Sequence, residues 1–472
     1  MDLSQQQFRI LYQPIVQRYI KLYLLNFNFQ RVNEISGSLI KCSISSDANS
    51  DLRRNCNVSL VVKNNDFDIK AGGQIWLDKY IQPYIGTYDM LTGEIVWENQ
   101  GIYLINAPTW DYDAATNTLS FEGLDLVSKL TGLRNGELEG LPTTIAQGEN
   151  VSSAIIATLA LAGFTRYSVS DCTNADGTIQ PVPYDLKVEQ GATVWDLLKL
   201  LRDILPQYEM YFDIDGVFHY DLIPSGANLP SLFDDTLLKE ILVQERINTD
   251  FENVKNYIEV YGAAHGVEFF SETVGVSSAT LTLTINSLAT INDYVMIGWV
   301  TPSAITGNIK LNVNQSGNKK LADYNGNYIT SLDANTYYVA QYQSDGTWLF
   351  LGHLQPQAIY SDNNPDSPFY INSSIGIIRH VCVGGEYDNI QSDYLALQRA
   401  KLEIYWRCRL NDTITLSTIP IPWLEVNTLF THSVKNTNNS EQWIIDNYNV
   451  DYTENGTMSI TAHKFYSYYP VI

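Results

Sequence analysis

Residues 101–130 read GIYLINAPTWDYDAATNTLSFEGLDLVSKL. Apolar and polar side chains alternate over Ile102–Tyr112 and again over Thr118–Leu124, the two-residue period of strands with one buried face. The polar stretch Asp113–Asn117 between them predicts a hairpin turn, and Asp125–Leu130 a short helix directly after it. The end of the chain repeats this design. SEQWIIDNYNVDYT (440–453) and GTMSITAHKF (456–465) are alternating runs joined at Asn455-Gly456. Two hairpins of one kind, far apart in sequence, predict two related β domains, one near each end.

Working outward, 8–112 reads as a succession of strands with turns at Gly72-Gly73, Gly86 and Thr92-Gly93. Two helices follow. Asn150 precedes SAIIATLALAGF, which should stop at Gly163; Thr193 is a good cap for Val194, Leu197, Leu198, Leu201, Ile204 and Leu205, ended by Pro206. YEMYFDIDGVFHYDLI then gives two strands around Asp215-Gly216, and a longer helix is predicted over Ser392–Leu410.

Residues 276–372 differ from their host. They contain no Glu, Arg or Cys, and only 9 of the 97 are charged, while Thr, Asn, Tyr, Val and Ile abound. That balance favours strands over helices and predicts an inserted all-β module, a small sandwich or barrel. The expected fold is therefore α+β and β-dominated. A first β domain spans 1–132 and a mixed α/β domain 133–235; the second β domain is split into 236–275 and 373–472 around the insert at 276–372.

A net charge of −23 argues against binding to a phosphate backbone. The balance is uneven: residues 1–70 carry 9 Lys+Arg against 6 Asp+Glu, which suits head-to-tail packing between unlike surfaces. Cys42, Cys56, Cys172, Cys382 and Cys408 are widely spaced with no C-x-x-C, so buried free thiols are expected. The amino terminus lacks the pattern of a signal peptide, and no run of 18 apolar residues predicts a membrane span.

Chemistry finds little support. The six histidines form no H-E-x-x-H or H-x-H, and neither a nucleophile elbow nor a phosphate-cradling loop occurs, so no catalytic residue, metal or cofactor is expected and the chain is read as a non-enzyme. Asp213-Ile214-Asp215-Gly216 resembles a calcium loop only in part, because Tyr211 stands where the first carboxylate belongs. Acidic pairs such as Asp111 with Asp113, Glu137 with Glu139, and Asp234 with Asp235 read as solvated loops, although a glycosidase needs only two carboxylates. In the insert, Trp299, Tyr324, Tyr328 and Trp348 have two readings: a stacking platform for a host-surface glycan, or the core and edges of the β module.

Three segments carry a family resemblance. QRAKLEIYWRCRLNDTITLSTIPIPWLEVNTLF (398–430) is similar to tail-hub proteins of long-tailed bacteriophages of Gram-positive hosts, in which a helix leads into a D-[ST]-I-T-L strand and a P-W-L-x-V-N segment. NAPTWDYDAATNTLSFEGLDLVSKL (106–130) and VWDLLKLLRDILPQYEMYFDIDGVFHY (194–220) look like the equivalent elements nearer the amino terminus. The resemblance implies that the two β domains are tube-type barrels and that three copies form a homotrimeric ring at the distal end of the tail in the virion. It also implies contact with a distal tail protein or tail-tube hexamer and with the tape-measure protein. Genomic DNA would pass through the lumen without specific binding. Hub chains often continue into a fibre or lysin; with this sequence ending at Ile472, separate tail-tip chains are expected to supply those parts.

Overall fold

Strands make up 46% of the structure and helices 13%, so β-sheet sets the architecture and the helices decorate it. The computed structural model describes every residue except 1–4, 36–37, 62–68, 113–116, 139–142, 174–178, 183–184, 206–207, 223–234, 409, 434–439, 454–455 and 466–472. The hairpin turns read at 113–117 and at 455–456 lie largely outside the described residues, as do Asp113, Glu139 and Asp234 of the acidic pairs.

Both flanking hairpins are present. Tyr103–Tyr112 pairs with Asn117–Leu124, and Ser440–Asp451 pairs with Met458–Lys464, each pair antiparallel. Each also carries a bulge, at Asn106/Thr109 and at Ile445/Asn447. Ala107 sits at φ 44 within the first bulge, where an extra residue increases local twist.

The hairpins belong to one 13-stranded sheet. Taking Leu242–Asp250, Asn411–Thr418, Ser440–Asp451 and Met458–Lys464 in chain order, their order across the sheet is first, second, fourth, third. Ser38–Asp47, Arg54–Val61, Tyr103–Tyr112 and Asn117–Leu124 follow in the same sheet with the same first, second, fourth, third order. The third strand of the carboxy-terminal unit pairs with the first strand of the amino-terminal unit, from Ser43↔Asp451 to Asp47↔Asn447. The two units are thus continuous rather than separate, and one apolar cluster, with Leu22, Ile44 and Phe121 beside Ile414, Trp443 and Ile460, serves both.

The mixed region packs on this sheet. Helices Val151–Leu161 and Val194–Arg202 lie near the strands Tyr167–Val169, Tyr208–Phe212 and Phe218–Leu222. Asn150 accepts from Ser153 N and Gly163 takes φ 76 just past the helix, as the sequence predicts. Thr193 and Asp196 form a reciprocal capping box. Asp213 accepts from the backbone N–H groups of Asp215 and Val217, so the D-I-D-G segment is a hairpin turn. The core of this region runs on to Leu25, Tyr80, Ile102 and Leu104 of the first β unit.

The insert is an eight-stranded sheet that wraps on itself. Phe269–Phe270 and Thr273–Ser277 are its two end strands, yet three Cα steps separate them, a span of at most about 11 Å. The ends must therefore adjoin. Ser271 N donates to Gly298 O at 2.9 Å on one side, and Glu272 N donates to Thr284 O at 2.9 Å on the other. The boundaries at 276 and 372 need correction at both ends. The wrapped sheet begins at Phe269 and its last strand ends at His353, while Gln357–Ser361 pairs with Tyr257–Tyr261 outside it. Composition misplaced these strands because hydrogen-bond partners, not residue types, decide membership. Tyr257–Tyr261 also pairs with Arg379–Cys382, and the helix Asp393–Arg407 covers this three-stranded sheet.

Candidate functional site

The features that look outward are strand edges. Leu242–Asp250 ends the large sheet, paired only with Asn411–Thr418 among the described residues. Val243 is 65% exposed, and Phe251 just beyond the strand 73%. At the far end of the second unit, Tyr103–Tyr112 meets Tyr80–Tyr88 only through Tyr80↔Leu104 and Ile81↔Tyr103, so 105–112 has no further neighbour on that side among the described residues. Long open edges with apolar side chains are a hazard unless another chain covers them.

A buried charge network holds the units that bear these edges. Arg54 donates to Phe212 O at 2.5 Å and to Glu425 Oε2 at 2.5 Å, and its backbone N–H reaches Asp125 Oδ2 at 3.2 Å. Asp125 also caps the short helix Leu126–Lys129 through Val127 N at 2.9 Å. Arg53 lies over the Tyr211 ring and meets Glu209 at 3.3 Å, while Asn427 donates to both Glu209 oxygens at 3.2 Å. Burial pushes Asp125 and Glu209 above the usual carboxylate range, and the neighbouring arginines pull the other way. Burial works against the Arg54 cation too, but Glu425, Tyr448, Tyr103 and Asp125 together outweigh it. Sequence reasoning missed this network; its signal was the adjacent pair Arg53-Arg54 ahead of an alternating strand.

The aromatic platform does not exist as read. Trp299 and Trp348 have no exposed surface and form the heart of the wrapped module, where a sugar cannot reach them. Tyr324 stacks on Tyr394 of the long helix, and burial pushes its phenol up to about 12. Tyr328, half-buried, lies under the Lys320 ammonium. Alternating Trp and Tyr here fill a core. Trp299→Ala is expected to cost about 3–5 kcal/mol, seen as early loss of the module in denaturant; a change below about 0.5 kcal/mol would contradict the assignment.

The module is fastened at one carboxylate. Asp393, in the first turn of the long helix, accepts from His353 N at 3.0 Å, Gln357 N at 2.8 Å and His353 Nδ1 at 2.7 Å. Gly352, at φ +101, leaves room for it, since a Cβ there would lie 2.0 Å from Asp393 Oδ2. The hydrogen bond to the Asp393 carboxylate raises the His353 pKa above its ordinary 6.5. The charged ring therefore stabilises the junction fully below pH about 6.5, and that share fades as the pH rises through the raised value. NMR titration should find His353 above 6.5 and Asp393→Asn should lower it; an unshifted ring would count against the contact.

His380, Cys382 and Glu403 bring ligand atoms within 4.8 Å of one another. Glu403 is already matched, accepting from Arg407 Nε at 2.6 Å, Arg399 Nε at 3.0 Å and the Tyr387 hydroxyl at 2.8 Å. Burial would raise its pKa, but these donors leave it below the ordinary value. A divalent cation would have to share that carboxylate with two guanidinium groups, so the cluster does not fit a metal and instead pins the helix to its sheet. All five cysteines are buried free thiols. Among the described residues no helix is long and apolar enough to cross a membrane.

Comparison with solved structures places this fold. A 43 kDa prophage tail protein from Shewanella oneidensis is similar over 94% of this chain and 98% of its own, with TM-score 0.51 and 10% identity. A tail protein from Neisseria meningitidis is similar over 94% and 96%, with TM-score 0.49 and 10% identity. A prophage tail protein from Listeria monocytogenes covers 94% of each chain, with TM-score 0.44 and 10% identity. The chain thus has the fold of the Shewanella prophage tail protein. Residues 366–469 match the family model described as Domain of unknown function (DUF5048). No curated protein matches the sequence.

Proposed function

We propose that the chain is a structural tail-hub subunit, three copies of which close a ring at the distal end of the tail tube. The observation that carries this reading is the repeated strand order. Within one chain, the third strand of the carboxy-terminal unit pairs with the first strand of the amino-terminal unit. Among the described residues the same contact is left unmade at both ends: Tyr103–Tyr112 is a third strand whose outer side is open beyond Leu104, and Leu242–Asp250 is a first strand with an open side. Joining these between neighbouring copies is a head-to-tail contact that repeats until the ring closes. Three copies of two units then present six equivalent faces to a sixfold tube or distal tail protein, while the ring itself keeps threefold symmetry for the tip.

In this role the two four-stranded units are the tube-type domains and the wrapped module hangs outside the ring. The net charge of −23 makes a lumen that repels DNA phosphates, so the genome slides without adhering. The tape-measure protein fills the opening before ejection, and tail-tip fibres or lysins attach below. Imaging of assembled particles tests the whole reading. A threefold ring of this subunit between the tube and the tip is expected; a subunit located away from the tail axis overturns it. In solution the 53.3 kDa chain should scatter light as a monomer or a trimer, and a stable dimer counts against the ring.

A further inference from the structure

The mixed region, the wrapped module with the chain leading into it at His265, and the segment Asn389–Gln391 ahead of the long helix meet around a cavity of about 660 Å³. That lies within the range of small-molecule sites, about 300–1,000 Å³. His265 lines it at 8% exposure, and neither of its ring nitrogens makes a hydrogen bond of good geometry, the Gln391 side chain being the polar group beside it. A buried polar ring so poorly matched is costly in a folded protein. Burial lowers its pKa, against the pull of Asp393 and Gln391, so at neutral pH the ring offers one donor and one acceptor.

A second observation points to the same cavity. Tyr294 has φ 67, a left-handed conformation that a bulky residue adopts only under constraint. Tyr294 N donates to Tyr342 O at 2.8 Å, and Gln341 Nε2 donates to Tyr294 O at 3.2 Å. Across the cavity Gly148 stands at φ +82, and a Cβ there would lie 2.9 Å from the Tyr294 hydroxyl. The tyrosine is held with its ring partly open, beside the amide pair of Gln147 and Gln341.

We propose that this cavity binds a neutral sugar, with the Tyr294 ring against its apolar face and His265 and the adjoining carboxylates on its hydroxyls. The chemistry selects that class. Asp185 and Asp293 outnumber Lys187 in the lining of an acidic protein, which disfavours anions. A neutral imidazole pairs with groups that both donate and accept, as hydroxyls do, and an aromatic face suits the C–H side of a pyranose. The volume accommodates one or two sugar rings. This site shares only the wrapped module with the aromatic set read from sequence, and it uses none of those four residues.

The test uses the full chain with glucose, galactose, N-acetylglucosamine and rhamnose as probes, read by saturation-transfer NMR and by the His265 ring resonances. At least one sugar should give a saturable shift at His265. His265→Phe, which keeps a ring but removes both nitrogens, and Tyr294→Gly, which relieves the left-handed strain, should each weaken that binding at least about tenfold. Thermal unfolding shows whether each variant keeps its fold; for either variant that does not, His265→Gln or Tyr294→Asn replaces it under the same criterion. No saturable shift with any of the four sugars, or unchanged binding in both folded variants, overturns the proposal.

Discussion

Of two single variants, Ile247→Pro and Asn248→Pro, one should yield a folded monomer that no longer assembles, and the other a destabilised chain. Along Leu242–Asp250 successive N–H groups point alternately to the paired strand Asn411–Thr418 and to the open side. Proline deletes an N–H, so at one of the two positions it breaks a hydrogen bond within the sheet, and at the other it removes only the outward group. The outward variant leaves the internal ladder intact but blocks strand addition. Assembled tails, or trimers where they form in solution, should then be lost, while thermal unfolding of the monomer changes little. If both prolines permit assembly, edge pairing does not hold the ring. If both prevent folding, lysine replacements of Val243 and Ile247 offer a milder block of the same edge.

Arg54→Ala should cost about 3–5 kcal/mol in equilibrium unfolding, because it takes a buried guanidinium away from Asp125, itself 3% exposed, and from the Phe212 carbonyl. Arg54 joins the first β unit to Phe212 of the mixed region and to Glu425 of the carboxy-terminal segment. One substitution therefore loosens three parts of the chain at once. The double variant Arg54→Met, Glu425→Gln should recover a part of the loss, since a methionine refills the space and Glu425, 34% exposed, no longer carries an unpaired charge. A single-variant loss under about 1 kcal/mol would show that the network tolerates the removal and does not tie the units together.

Local elements were legible because their determinants are local. Asn150, Thr193 and Ser392 cap helices through side-chain bonds to backbone N–H groups three residues on, and caps of this kind are readable from residue type and spacing. The flanking hairpins were legible from their alternation, and their resemblance to one another holds down to the bulge in each first strand. The glycan platform failed for the opposite reason. A period-two pattern says which side chains share a face of a strand, but it does not say whether that face looks to water or to another layer. Trp299 and Trp348 fell on the inner side of a sheet that closes on itself.

By itself, then, the sequence determined the β-dominated class, the echo between the two ends, the foreign composition near the middle and the absence of any motif for nucleophile or metal chemistry. Tertiary structure alone decided that both ends share one sheet, that Arg53 and Arg54 face Glu209 and Glu425, that Gln357–Ser361 leaves the insert, and that His265 and Tyr294 line one cavity. The physical reason is range. Capping and alternation are set within a few residues, whereas strand partners, ion pairs and cavity walls join positions hundreds of residues apart, and which of many similar edges and charges meet depends on the packing of the entire chain.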